Sequence, residues 1–157
     1  MDIILDVLIP AVDFYKLKLL ENIVEWGGER FSKDPPEYIF YSSVFFRKGI
    51  CSNYYQNIIG DELNTSDYVV LTLEGESLSE LEHSINSGYV DKNRSELVSF
   101  INELYSTINR FFIIMLLNEE HIDDKYQITN ADDAVNVILN SLDWNCPRGL
   151  VISAKMS

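Results

Sequence analysis

The residues best equipped for chemistry stand together near position 120. Glu119-Glu-His-Ile-Asp-Asp124 puts four carboxylates and an imidazole into six positions, groups that in general can hold a divalent cation or move a proton. A calcium loop needs oxygens converging from alternate positions and a glycine at its sharp turn. Both are missing here, so an EF-hand is excluded. A noncanonical cation site is the sharper reading of this segment, and a solvated acidic loop is the preferred one. The other histidine, His83, follows Glu80 by three residues, which on a helix would place both on one face as a metal or acid–base pair. No HExxH motif and no second histidine at ligand spacing accompanies it, so a surface histidine is expected. Cys51 and Cys146 form no CxxC pair and neither has a histidine nearby in sequence. Each reads as a small buried hydrophobe, although one bridge between them is arithmetically allowed. Neither a GxSxG elbow nor a GxGxxG or Walker loop occurs among the seven scattered glycines, which removes the usual nucleophile and phosphate cradles.

Without that apparatus the expected activity is binding: no enzyme, no cofactor and no metal. The charge pattern says what kind of partner to expect. Twenty-five acids stand against twelve Lys and Arg, a formal charge of -13. Such a surface repels nucleic acid backbones and anionic lipid and attracts basic proteins. The basic pairs Arg47-Lys48 and Lys16/Lys18 are isolated, so neither nucleic acid nor membrane is expected as a partner. From Gly49 to Asp91 the chain has not one Lys or Arg, yet it carries Asp61, Glu62, Asp67, Glu74, Glu76, Glu80, Glu82 and Asp91. A second run, Glu119 to Asp143, sets seven acids against Lys125 alone. Acidity can serve solubility alone. Unneutralised patches also cost self-repulsion, and steering toward a basic protein is a use that offsets it. The partner-binding carboxylates are therefore sought among Asp61, Glu62, Asp67, Glu74, Glu76, Glu80 and Glu82, or among Glu119, Glu120, Asp123 and Asp124. Tyr54, Tyr55 and Tyr68 are the apolar anchors expected beside them.

The elements that must position these groups are read from periodicity and caps. Ile9, Val12, Leu19, Leu20 and Ile23 share one side of a helix predicted from about Ile9 to Trp26, with Pro10 in its first turn and Gly27-Gly28 as its stop. Glu37 to Phe46 fits either a strand or a buried helix. Tyr54-Tyr55 and Ile58-Ile59 predict a short helix ending at Gly60, and Tyr68 to Leu73 is the clearest strand. Ser77-Leu-Ser-Glu80 reads as a capping box for a short helix to about Asn86. Asn93 then opens the strongest helical pattern, Leu97, Phe100, Ile101, Leu104, Ile108, Phe111, Phe112 and Met115, which predicts one long central helix. Asn130 caps a helix through Ala134, Val135, Ile138 and Leu142, and Gly149 to Ser153 closes the chain as a short strand. The expected architecture is one α+β domain over residues 1–157, helix-dominated, with a few short strands. The apolar N-terminus lacks a basic n-region and a cleavage site and is interrupted by Asp2 and Asp6, so it is not read as a signal peptide. No run reaches the eighteen or so apolar residues of a membrane span. The cytoplasm is the expected compartment.

The last quarter of the chain resembles a known group. Leu117-Asn-Glu-Glu-His-Ile-Asp-Asp-Lys-Tyr126, Asn130, the helix from Ala134 to Leu142, and Leu142-Asp-Trp-Asn-Cys-Pro-Arg-Gly-Leu-Val-Ile152 together look like small bacterial immunity proteins of contact-dependent growth inhibition and related toxin systems. The resemblance implies a cytoplasmic protein that binds one cognate toxin domain and blocks its active site or the approach of substrate. It carries no individual binding residue. Toxins that act on nucleic acid are commonly basic, which would give the acidic stretches their purpose. The competing readings are an acidic adaptor or subunit of another complex, and a small metal-dependent enzyme using Glu119, Glu120, Asp123 and Asp124.

Overall fold

The computed structural model describes residues 3–17, 23–25, 37–41, 44–60, 63–73, 92–117, 122–141 and 149–155. Among them the organising element is a sheet of eight strands. The strands are β1 (Ile3–Pro10), β2 (Ile23–Glu25), β3 (Glu37–Tyr41), β4 (Val44–Ile50), β5 (Tyr68–Leu73), β6 (Arg110–Leu117), β7 (Asp124–Gln127) and β8 (Leu150–Lys155). Their order across the sheet is β2-β3-β4-β5-β1-β6-β8-β7. Neighbours are antiparallel except β7 and β8, which are parallel. The helices are α1 (Ala11–Phe14), α2 (Asn53–Ile59), α3 (Lys92–Thr107) and α4 (Ala131–Ser141).

A helix-dominated α+β fold with a long central helix is therefore not what this chain forms. The expected helix ends at Thr107, where the Ile108 N–H still bonds to the Leu104 carbonyl at 2.8 Å. The remainder of the pattern, Arg110 to Leu117, is a central strand. In an uninterrupted apolar run every spacing is matched, helical spacing included, so periodicity cannot separate a buried helix end from a strand covered on both faces. The same ambiguity hides β1. Ile9 and Pro10 end that strand instead of opening a helix, and of the described residues in the predicted span only Ala11–Phe14 is helical while Ile23–Glu25 is strand. Residues 18–22, between them, lie outside the described residues. Glu37 to Phe46, where strand and buried helix were both open, is strand at its described positions: β3 and the start of β4, which pair with each other, while residues 42 and 43 lie outside the described residues.

Local signals fare better. The helix predicted around Tyr54 to Ile59 is α2, closed by Gly60 at φ 111°, a backbone region that favours glycine. Tyr68–Leu73 is β5 as expected. Asn130 caps α4: its Oδ1 accepts the Asp133 N–H at 2.9 Å while its Nδ2 donates to the Asp133 carboxylate at 2.8 Å. The capping box at Ser77 and the short helix after it lie outside the described residues.

Two cores form, one on each face of the sheet. Leu5, Val7 and Ile9 of β1 point into the larger one, with Phe46, Leu71, Phe111, Ile113, Met115 and Ile152 from neighbouring strands. Leu97, Phe100, Ile101 and Leu104 of α3, Ala134 and Ile138 of α4, and Phe14 of α1 close it from above. The Tyr105 hydroxyl donates to the Ile128 carbonyl at 3.1 Å, tying α3 to the turn between β7 and α4. On the other face Leu8, Val70, Phe112, Ile114, Leu116 and Val151 meet Tyr54, Tyr55, Ile58 and Ile59 of α2. Strands buried on both faces lose the alternation that marks a half-exposed strand, as β1, β6 and the first three residues of β8 do here. Among the described residues no helix is long and apolar enough to cross a membrane.

Candidate functional site

Of the carboxylates singled out as partner-binding, Asp67, Asp123 and Asp124 fall within the described residues. Asp61, Glu62, Glu74, Glu76, Glu80, Glu82, Glu119 and Glu120 lie outside them, as do His83, His121 and Cys146. Asp67 is exposed in the 3-10 turn Thr65–Asp67, immediately before β5. Asp123 and Asp124 stand at the start of β7. The first is exposed, the second half-buried.

Register shows that these are separate surfaces. Tyr68, next to Asp67, pairs with Pro10 at one end of β1. Asp124 pairs with Leu150, Leu150 with Met115, and Met115 with Leu5 toward the other end. Four strand spacings, roughly 19 Å, also separate β5 from β7. Asp67 and Asp124 are thus on the order of 25 Å apart. The two acidic stretches do not converge through these residues.

The acids near β7 have structural partners as well. Asp123 Oδ2 accepts the Gly149 N–H at 2.8 Å, and the N–H groups of Asp123 and Asp124 donate to the Gly149 carbonyl at 2.8 and 3.2 Å. This knot starts the parallel pairing of β7 with β8. Asp132 and Asp133 occupy the first turn of α4, where negative charge complements the helix dipole. Part of the second acidic run therefore has a local reason for its sign. Among the described residues no group of three or more His, Cys, Asp or Glu side chains comes together as a metal site.

The most deliberate polar arrangement is one that charge counting passed over. Asp6, named above only as an interruption of the N-terminal apolar run, sits mid-sheet on β1 with 3% of its surface exposed. It pairs in register with Thr72 on β5 and Ile114 on β6. Thr72 Oγ1 donates to Oδ1 at 2.6 Å, and the Tyr55 hydroxyl, reaching down from α2, donates to Oδ2 at 2.8 Å. Burial raises the Asp6 pKa above its ordinary value, and the two hydroxyl donors pull against that shift. Tyr55 is pushed above the ordinary tyrosine range, first by burial and then by the Asp6 charge. Nearby Cys51 is buried, and burial raises its pKa to about 11. A thiol so held is a poor nucleophile at neutral pH. With both carboxylate oxygens engaged and almost no exposure, Asp6 offers no access to a substrate. Its role is to tie α2 to the middle of the sheet.

The expected anchors are correspondingly half-inside. Tyr55 commits its hydroxyl to Asp6, Tyr54 packs edge-on against Tyr55 at 5.3 Å, and Tyr68 lies 5.9 Å from Phe112. A lone acid in an apolar run, Ile-Leu-Asp-Val-Leu, was the available signal for Asp6, since such a residue must find donors wherever the run is buried. Comparison of the chain with protein-family models, curated proteins and solved structures finds no match.

Proposed function

We propose that this chain is a non-catalytic immunity protein that binds and neutralises a basic, nucleic-acid-degrading bacterial toxin domain. The observation that carries the reading is the distribution of charge: -13 overall, with no Lys or Arg between Gly49 and Asp91. Exposed Asp67 presents part of that stretch at the end of β5, and exposed Asp123 presents part of the second run. Such surfaces accelerate encounter with a cationic domain whose own task is to hold polyanions. Acidic side chains then occupy the cleft meant for the phosphate backbone. The resemblance of the last quarter of the chain to immunity proteins supports the same reading.

The test is kinetic. Association and dissociation rates are measured against the protein encoded immediately upstream, over rising ionic strength, for the wild type and for Asp67→Lys and Asp124→Lys. Association slowed about tenfold or more by salt, with dissociation changing far less, is the expected result. Charge reversal at the contacting patch should reproduce the effect of salt. Absence of a complex, or one indifferent to salt and to both reversals, overturns the reading.

A further inference from the structure

Among the described residues, the large hydrophobic side chains left open to solvent are Val12, Tyr15 and Ile50, with 82, 74 and 92% of their surface exposed. Val12 and Tyr15 are three residues apart on the single turn of α1, which sets them side by side. That turn buries Phe14, and Leu17 just beyond it, in the larger core, so one side anchors it and the other is presented outward. Ile50 ends β4 on the same face of the sheet. Phe46 of β4 enters the larger core, and alternation along the strand puts Lys48 and Ile50 on its side. Lys48 accordingly lies over the Phe14 ring at 5.1 Å, and the Tyr15 ring meets Phe14 edge-on with centroids 6.0 Å apart. Phe14 thus ties Tyr15 to Lys48, and Ile50 is the next residue on that side of β4.

Register brings Asp67 to the same end of the sheet. Ile50 pairs with Val69, Val69 with Ile9, and Tyr68 with Pro10, directly before α1. Asp67 precedes Tyr68 and is exposed, within the stretch that carries no Lys or Arg. Two bases stand nearby. Lys16 is held by Asp13 at 2.7 Å, a pair that is neutral as a whole, and Lys48 is half-buried against Phe14. A single exposed hydrophobic side chain is ordinary on a protein surface. Three at one end of a sheet, beside an exposed carboxylate, make the combination that protein interfaces use, an apolar centre within a charged rim.

We propose that a cationic protein domain, the toxin of the reading above, seats on this end of the sheet, with Val12, Tyr15 and Ile50 as the apolar centre and Asp67 at the rim. This seat rests on the toxin reading and narrows it. Of the two acidic surfaces, on the order of 25 Å apart, it selects the one at Asp67 over the one at Asp123. Charge speeds the encounter, and the desolvated apolar side chains hold the complex together, so the first governs association and the second dissociation. A second copy of this chain fits the surface less well, because two bodies of charge -13 repel one another.

The test compares Val12→Ser, Tyr15→Ser, Ile50→Ser and Asp123→Asn with the wild type, each measured for association and dissociation with the protein encoded immediately upstream. All four side chains are exposed, so urea midpoints close to that of the wild type are expected. Each serine variant should dissociate about fivefold faster or more, with association little changed. Asp123→Asn, at the other surface, should dissociate as the wild type does. Wild-type dissociation in all three serine variants overturns this seat and leaves the toxin reading standing, whereas absence of any complex overturns both. Self-association of the wild type in sedimentation, abolished by Ile50→Asp, also overturns it, because a second copy would then cover the patch.

Discussion

Tyr55 and Asp6, 49 residues apart in sequence, meet through a 2.8 Å hydrogen bond in which the tyrosine hydroxyl donates to the buried carboxylate. That bond is the polar link between α2 and the centre of the sheet. Tyr55→Phe removes one of the two side-chain donors to Asp6 and should destabilise the fold by about 1–3 kcal/mol near pH 8. In an Asp6→Asn background the same change should cost less, because no buried charge is left short of a donor. Urea unfolding of the two single variants and the double variant measures the coupling, and additive effects would show that the bond contributes nothing.

Asp6 also sets a pH dependence of definite sign. Burial, outweighing its two hydroxyl donors, holds its pKa above the ordinary value in the folded chain. A raised folded pKa contributes stability below the unfolded pKa, about 3.9 for Asp, and loses it as pH rises through the folded value. Asp6→Asn cannot titrate. Its stability relative to the wild type should therefore rise as pH climbs from about 4 through the raised folded pKa of Asp6 and then level off. A difference that is flat or falls with pH contradicts the assignment.

The placement of β6 as a central strand is checked by neighbours. Ile113 and Ile114 are adjacent yet enter opposite cores. Ile113→Ala and Ile114→Ala should each cost about 2–5 kcal/mol, and Leu104→Ala about the same. Phe111→Ala should cost about 3–5 kcal/mol, since its fully buried ring packs edge-on against Tyr105 at 4.8 Å. If either isoleucine behaves as a surface residue in denaturant, β6 is not covered on both faces.

At the start of α4, Asn130→Ala deletes the acceptor of the Asp133 N–H. A loss of about 0.5–2 kcal/mol is expected, with faster amide exchange confined to the first turn. Unchanged exchange there would remove Asn130 from the capping role.

Asp123 allows charge and structure to be separated. Asp123→Asn keeps an oxygen for the Gly149 N–H and should leave stability nearly unchanged, whereas Asp123→Ala should cost about 1 kcal/mol. The asparagine variant therefore reports on binding charge alone. Equal melting curves for the two variants would show that the bond does not hold β7 to β8.

What the sequence discloses here follows from how far each signal reaches. Asn130 and Asp133 are three residues apart and Gly60 ends its own helix, so both were legible. Tyr68–Leu73 was legible because its turn signals are local. Asp6 finds Thr72 66 residues away and Tyr55 49 away, and nothing near Asp6 announces either. Val12 looks like a core residue in the chain, and only the fold brings it out to the surface with Tyr15 and Ile50. The acidic runs were visible at once, but that Asp67 and Asp124 stand at different ends of the sheet was not.

The position of β1 between β5 and β6 bears on how the molecule is made. As the chain leaves the ribosome, Ile3–Pro10 emerges well before its partners: β5 begins only at Tyr68, and β6 only at Arg110. Throughout that interval this largely apolar strand has neither partner beside it. Contacts so distant in sequence slow folding, and a waiting apolar strand is open to association with other chains. A charge within an apolar segment disfavours such association, and Asp6 stands in the middle of β1 before Thr72 and Tyr55 exist to receive it.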